Sequence, residues 1–168
     1  MSSIRYCTMP SPLGEILLVA QGDALAGVYF SGQKYHPLVA AEWREDGNVP
    51  ALRAARRQLG EYFAGTRTSF DLPLAAPGTP FQQSVWRAIA AVPHGKTATY
   101  TEIAARAGHP GSVRAAGAAT GRNPWSIVVP CHRIVGANGA LTGYAGGLDR
   151  KRALLALEQH PSRFTLAA

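Results

Sequence analysis

A chain of 168 residues, 46% hydrophobic and 16% charged, has the length for one ordinary domain or two small ones and the apolar content to bury a core. That composition excludes a disordered chain, no apolar run approaches a membrane span, and Cys7 and Cys131 alone give no disulfide framework. The net charge of +7 is one-sided: residues 1–76 carry seven basic and seven acidic side chains, whereas residues 77–168 carry ten basic ones against Glu102, Asp149 and Glu158. Positive excess gathered in one half is the footprint of a polyanion-binding surface. The first ten residues lack a signal-peptide core, so a cytoplasmic location is expected.

In chain order, residues 14–20 and 25–30 read as β-runs separated by Gly22-Asp23, a hairpin signal. Helical spacing follows over residues 51–63, with Leu52, Ala55, Leu59 and Phe63 on one face and Gly65 positioned to end it. The Pro- and Ala-rich stretch 72–78 reads as a linker, dividing the chain into residues 1–76 and 77–168. Thr79-Pro80 is a predicted N-cap with proline at the first helical position, and Phe81, Val85, Trp86 and Ile89 then recur at helical spacing until Pro93-His94-Gly95. A short helix over 101–107, a turn at His109-Pro110-Gly111 and a second helix over 112–119, capped by Ser112, form a helix-turn-helix pattern. Asp149 is predicted to cap a last helix running through Leu154, Leu155 and Leu157 to Glu158. Apart from Arg114, the 112–119 helix carries small side chains. Two readings stand for it: close packing inside a core, or a backbone laid against a partner surface.

The richest chemistry lies in Pro130-Cys131-His132-Arg133-Ile134, which follows the apolar Ile127-Val128-Val129 run and the Asn123-Pro124 turn signal. A thiol is a useful nucleophile only as thiolate, and a neighbouring base or cation is the usual means of lowering its pKa. The competing reading is a buried structural cysteine that happens to precede a histidine. Gly95-Lys96-Thr97 looks like the end of a phosphate-binding loop, but the glycine such a loop needs is Ala90 here. No Cys-x-x-Cys or His-x-x-x-His spacing exists, so no metal is expected. His36, His94, His109 and His160 sit in turn-like contexts and read as surface or capping residues.

Taken with Asn123-Pro124 before it and Gly143-Tyr144-Ala145-Gly146-Gly147-Leu148 after it, the Cys-His motif resembles the O6-alkylguanine-DNA alkyltransferases. The resemblance is close from Thr79 to Glu158. It is looser in the first half, resting on Ser11-Pro12-Leu13-Gly14 and the helix end from Leu59 to Gly65. It implies an α+β protein: a small N-terminal α/β domain of ribonuclease-H-like topology, then a mainly helical, winged helix-turn-helix-like domain. It implies DNA repair by direct damage reversal, in which a methyl or other alkyl group passes from O6-alkylguanine, or O4-alkylthymine, to Cys131 in a single-turnover suicide methyltransferase. In that family pattern His132 is the base, acting through a bridging water, and Glu158 orients it. Asn123 braces the turn holding Cys131, and Tyr100 helps neutralise the departing guanine. Tyr144, Ala145, Gly146 and Ile134 belong to the base pocket. The second helix enters the minor groove with Arg114 taking the place of the flipped base, and Ala115, Ala116, Gly117, Thr99 and Arg122 lie at the DNA.

Double-stranded DNA containing O6-alkylguanine is thus the implied partner, with no cofactor, no membrane, no obligate protein partner, and cooperative assembly on DNA left open. The chain departs from the family at Ala145, where some members have serine, and at His94, where many have tyrosine. It also lacks the Cys/His set that some members use for structural zinc. With no side chain at Gly146, alkyl groups bulkier than methyl are expected to enter. Two rivals use the same residues. A damage-marking, alkyltransferase-like binder would lack the acceptor thiol, which Cys131 supplies; a cysteine hydrolase built on Cys131, His132 and Glu158 would turn over repeatedly.

Overall fold

The computed structural model describes residues 3–75 and 77–159, so the reading of His160 lies outside the described residues. Strands β1 (Ile4–Met9), β2 (Ile16–Gln21) and β3 (Ala24–Phe30) form an antiparallel meander. The two-residue β4 (Arg44–Glu45) pairs parallel to β1, giving the order β3-β2-β1-β4. Central β2 is buried from Ile16 to Ala20, which is why it reads as an unbroken apolar run. Gly22, at φ 59, supplies the left-handed turn that joins it to β3.

Helix α1 (Pro50–Phe63) lays Leu52, Ala55, Leu59 and Tyr62 on the sheet. It ends where Gly65, at φ 80, donates to the Tyr62 carbonyl while the Thr66 amide donates to that of Glu61. The hairpin, α1 and its glycine stop match the sequence expectations. Strands β1 and β4 were not foreseen. β1 interrupts its apolar residues with Arg5 and Thr8, and β4 is two exposed charged residues held only by pairing with a neighbour.

The second half begins with α2 (Pro80–Ala90), whose N-cap Thr79 forms the full reciprocal capping box with Gln82. A short strand β5 (Ala98–Thr99) leads directly into α3 (Tyr100–Arg106), and α4 (Val113–Gly121) follows after a turn. The turn is set by Gly108 rather than by the Pro110-Gly111 pair. At φ 86 it donates to Ala105 while the His109 amide donates to Ala104. The 3-10 turn Cys131–Arg133, strand β6 (Ile134–Val135) and helix α5 (Leu148–Gln159) follow as the last elements of the described residues, β6 running parallel to β5.

Two capping expectations are corrected. Ser112 holds the N-cap position of α4 but its side chain makes no capping bond, its backbone lying at φ −113, ψ 44. Asp149 lies inside the first turn of α5, which starts at Leu148, and its carboxylate is exposed and paired with Arg152 at 3.3 Å. An acidic residue there still favours the helix dipole.

One hydrophobic core runs through both halves, joining Ile16, Leu18 and Phe30 to Trp86, Ile103, Trp125 and Leu154. The outer edge of β3 is covered rather than left open. Leu25 exchanges backbone bonds with Pro73 and Ala75, and Val28 exchanges them with Pro124 and Ser126. Trp125 reaches across with its indole N–H on the Leu25 carbonyl at 2.9 Å. The first half therefore fixes the segment that leads to Cys131.

Candidate active site

Between Pro124 and Pro130 the backbone makes a sharp excursion. The Val128 amide donates to Ser126 at 2.8 Å, placing Ile127 at φ 72, a strained conformation for a β-branched residue. Asn123 spans the turn: its Oδ1 accepts from the Trp125 amide at 2.9 Å and its Nδ2 donates to the Val129 carbonyl at 2.8 Å. The Cys131 amide donates to the same Val129 carbonyl, starting the 3-10 turn that presents the thiol.

Cys131 is 6% exposed and borders a cavity of about 540 Å³. Tyr100 at the start of α3, Gly117 and Arg122 of the α4 region, and Tyr144 and Ala145 of the following loop are also on its walls. Arg114 and Ala115 lie on the exposed face of α4, and Thr99 caps α3 through its hydroxyl. Three predicted positions fall elsewhere. Ala116 is 0% exposed and packs inward, because the helical period that turns Ala115 outward turns its neighbour into the core. Ile134 is also 0% exposed, on β6 against Ala98. Gly146 is packed behind the cavity wall instead of at an open rim: a Cβ there would lie 2.6 Å from the Tyr144 ring and 3.3 Å from Phe30.

Behind the thiol, donors converge on the fully buried carboxylate of Glu158. His132 donates from Nε2 to Oε2 at 2.6 Å, Arg133 donates from Nε and an Nη at 2.8 and 3.0 Å, and the Tyr62 hydroxyl donates at 2.6 Å. Burial alone would raise the Glu158 carboxyl, but the hydrogen bonds and charges of His132 and Arg133 hold it well below the usual carboxylate range. An ionised carboxylate can only accept, so it fixes the proton of His132 on Nε2 and leaves the Nδ1 lone pair as the basic one. That Nδ1 is buried and makes no hydrogen bond to any described protein group. Burial pushes the imidazole below 6.5 despite Glu158, so it is neutral at physiological pH.

Burial also pushes the Cys131 thiol up, opposed by the Asn123 amide and by the charge of Lys151. Lys151 was not foreseen as part of the site. Its side chain is 0% exposed and its ammonium donates to the carbonyls of Ile134, Thr142 and Gly143 at 2.6, 2.7 and 3.3 Å. Desolvation brings it down to about 8. Arg133 and Tyr62 were likewise missed. The sequence held one signal for Lys151: with Leu154 and Glu158 it makes a 3,4 spacing that sets two charges on the buried stripe of α5. Among the described residues, no group of three or more His, Cys, Asp or Glu is placed to hold a metal.

Fold and site together define a protein that joins two short helices linked by a turn to a buried thiol backed by an imidazole–carboxylate pair. Residues 4–76 match the ribonuclease-like domain, and residues 80–160 the DNA-binding domain, of 6-O-methylguanine DNA methyltransferase. A methylated-DNA–protein-cysteine methyltransferase of Mycolicibacterium paratuberculosis is 48% identical over 163 residues, 97% of each chain. One of Methanosarcina acetivorans is 50% identical over 153 residues, 91% of this chain and 97% of that one. The crystal structure of Mycobacterium tuberculosis OGT in complex with DNA matches with a TM-score of 0.84 at 46% identity, covering 92% of both chains. The chain belongs to the 6-O-methylguanine DNA methyltransferase family.

Proposed function

We propose that this protein repairs O6-alkylguanine in duplex DNA by moving the alkyl group onto Cys131, once per molecule. The observation that carries the reading is a cavity-lining thiol beside a neutral, carboxylate-oriented imidazole whose only uncommitted nitrogen is Nδ1. Nδ1 takes the thiol proton, through a bridging water as the family resemblance implies. The sulfur then attacks the saturated carbon on O6, the carbon–oxygen bond breaks, and its electrons leave with the guanine. Lys151 steadies the thiolate, and Tyr100, which also lines the cavity, offers its hydroxyl proton to the departing base. The resulting thioether offers no bond that a side chain here can hydrolyse, so the protein is spent. O4-alkylthymine presents the same alkyl–oxygen chemistry and is a second substrate.

A stacked base cannot reach a nearly buried thiol, so the nucleotide is flipped out of the duplex. The exposed Arg114 and the small residues of α4 suit approach through the minor groove, where side-chain bulk is excluded. In this reading Thr99, Ala115, Gly117 and Arg122 meet the DNA, while Ala116 and Ile134, both buried, do not. A cysteine hydrolase is disfavoured because the Cys131 amide, a natural oxyanion donor, is committed to Val129. Incubating a duplex carrying one O6-methylguanine with wild type and with Cys131→Ser tests the reading. The lesion disappears with the first and persists with the second; equal loss in both contradicts it.

A further inference from the structure

The first half of the chain contributes Lys34 and Tyr35 to the cavity lining. Tyr35 sits at φ 62, a left-handed backbone unusual for an aromatic residue, and is 49% exposed despite its size. Neighbouring bonds hold this conformation in place. The side chain of Gln33 accepts from the Phe30 amide at 2.7 Å and donates to the Lys34 carbonyl at 3.1 Å. The Lys34 amide donates to the Ala145 carbonyl at 2.9 Å, tying this loop to the loop of Tyr144. The guanidinium of Arg122, at the C-terminal end of α4, lies over the Tyr35 ring, 4.1 Å from its centroid, and the Lys34 ammonium lies 5.1 Å from the same ring.

Both cations are therefore gathered on one exposed ring at the mouth of the thiol cavity. Backbone strain persists where the surroundings impose it, and such positions cluster at binding sites. A ring that merely packed would bury its faces; this one offers a face to a guanidinium from the other half of the chain. We propose that Tyr35 is a positioning residue for the transfer reaction: it holds Arg122, with Lys34, across the cavity mouth, where the two cations grip the phosphates flanking the extruded nucleotide. The first half thus supplies part of the substrate site.

This inference rests on the alkyl-transfer reading, and a comparison of variants separates the two. Tyr35→Gly removes the ring and relieves the backbone, and Tyr35→Phe keeps the ring. With O6-methylguanine duplex in single turnover, Tyr35→Gly is expected to label Cys131 about tenfold more slowly through lost orientation, while Tyr35→Phe, which keeps the ring but loses the hydroxyl that Arg122 and Lys34 also engage, falls between it and wild type. The melting temperature of Tyr35→Gly is expected to stay level or rise, and its Cys131 is expected to react with iodoacetamide at the wild-type rate, because the thiol itself is unchanged. Arg122→Ala is expected to slow labelling similarly, and Tyr35→Gly/Arg122→Ala to be no slower than Arg122→Ala alone. Wild-type labelling in Tyr35→Gly, or fully additive losses in the double variant, overturns the inference while leaving the transfer reading intact. Absence of labelling in wild type overturns the transfer reading itself.

Discussion

Glu158 accepts from His132, Arg133 and Tyr62 at once, so its ionisation couples the site to the stability of the fold. Its folded pKa lies below the ordinary value of 4.5, so as pH falls the unfolded chain takes the proton first. Stability contributed by this group is complete above pH 4.5 and is lost as pH drops from there toward the folded value. Glu158→Gln is expected to lower stability at neutral pH by about 3–5 kcal/mol, because Arg133 is left buried without a counter-charge, and to flatten the acid limb. Denaturant unfolding of both proteins between pH 3 and 7 checks this; parallel acid limbs would count against it. His132, by contrast, is neutral because burial lowers it below 6.5, so the base is ready throughout the neutral range. Single-turnover transfer is expected to fall in acid buffers below pH 6.5, where His132 takes up a proton, and to decline again near pH 8 as Lys151 loses its charge; an acid midpoint above 6.5 contradicts the assignment. At Gly146 even one methyl would meet the Tyr144 ring at 2.6 Å. Gly146→Ala is expected to slow transfer of a benzyl group more than of a methyl group by displacing Tyr144; equal slowing would mean the ring does not bound the alkyl site.

Helix α4 shows how one element serves packing and approach together. Ala116 and Ala119 are buried, and the Trp86 indole N–H donates to the Ala119 carbonyl at 2.8 Å, while Arg114 and Ala115 face outward. The core-packing reading of this helix is realised on one face, and the opposite face is exposed. A Cβ at Gly117 meets only Tyr100, at a comfortable 3.8 Å. Gly117→Ala is therefore expected to raise the melting temperature, the helix gaining up to about 1 kcal/mol, and to leave thiol reactivity unchanged; a lower melting temperature would show the glycine is needed for packing. Ala115→Glu is expected to weaken duplex binding about tenfold through phosphate repulsion without a change in melting temperature. Elements with their own local signals were legible: Thr79 caps α2, and Gly65 stops α1. Those that exist through partners were not. β4 has no signal beyond its pairing with β1, and Ser112, although of the right type, is held at an angle that keeps its hydroxyl from capping.

At the scale of the whole molecule, the two halves share a core and a site. Tyr62 lies 96 residues from Glu158 in sequence, yet its hydroxyl donates to that carboxylate at 2.6 Å. The pair Cys131-His132 stood out in the sequence and the helix that carries Glu158 was legible from its apolar spacing, while their roles came with the family resemblance. The long-range partners Tyr62 and Tyr35 were not legible, since only folding brings them to the site, and Lys151 left only its spacing on the last helix as a signal. Tyr62→Phe is expected to cost about 1.5–3 kcal/mol, the worth of a hydrogen bond to a charged group, and a neutral result would place the stability of Glu158 entirely with Arg133 and His132. The most direct test of alkyl transfer is the intact mass of the protein after incubation with excess O6-methylguanine duplex, followed by peptide mapping. One added methyl group per chain, located on Cys131 and absent in Cys131→Ser, is the predicted result. Repaired DNA without a mass change on the protein would mean turnover and would contradict the account.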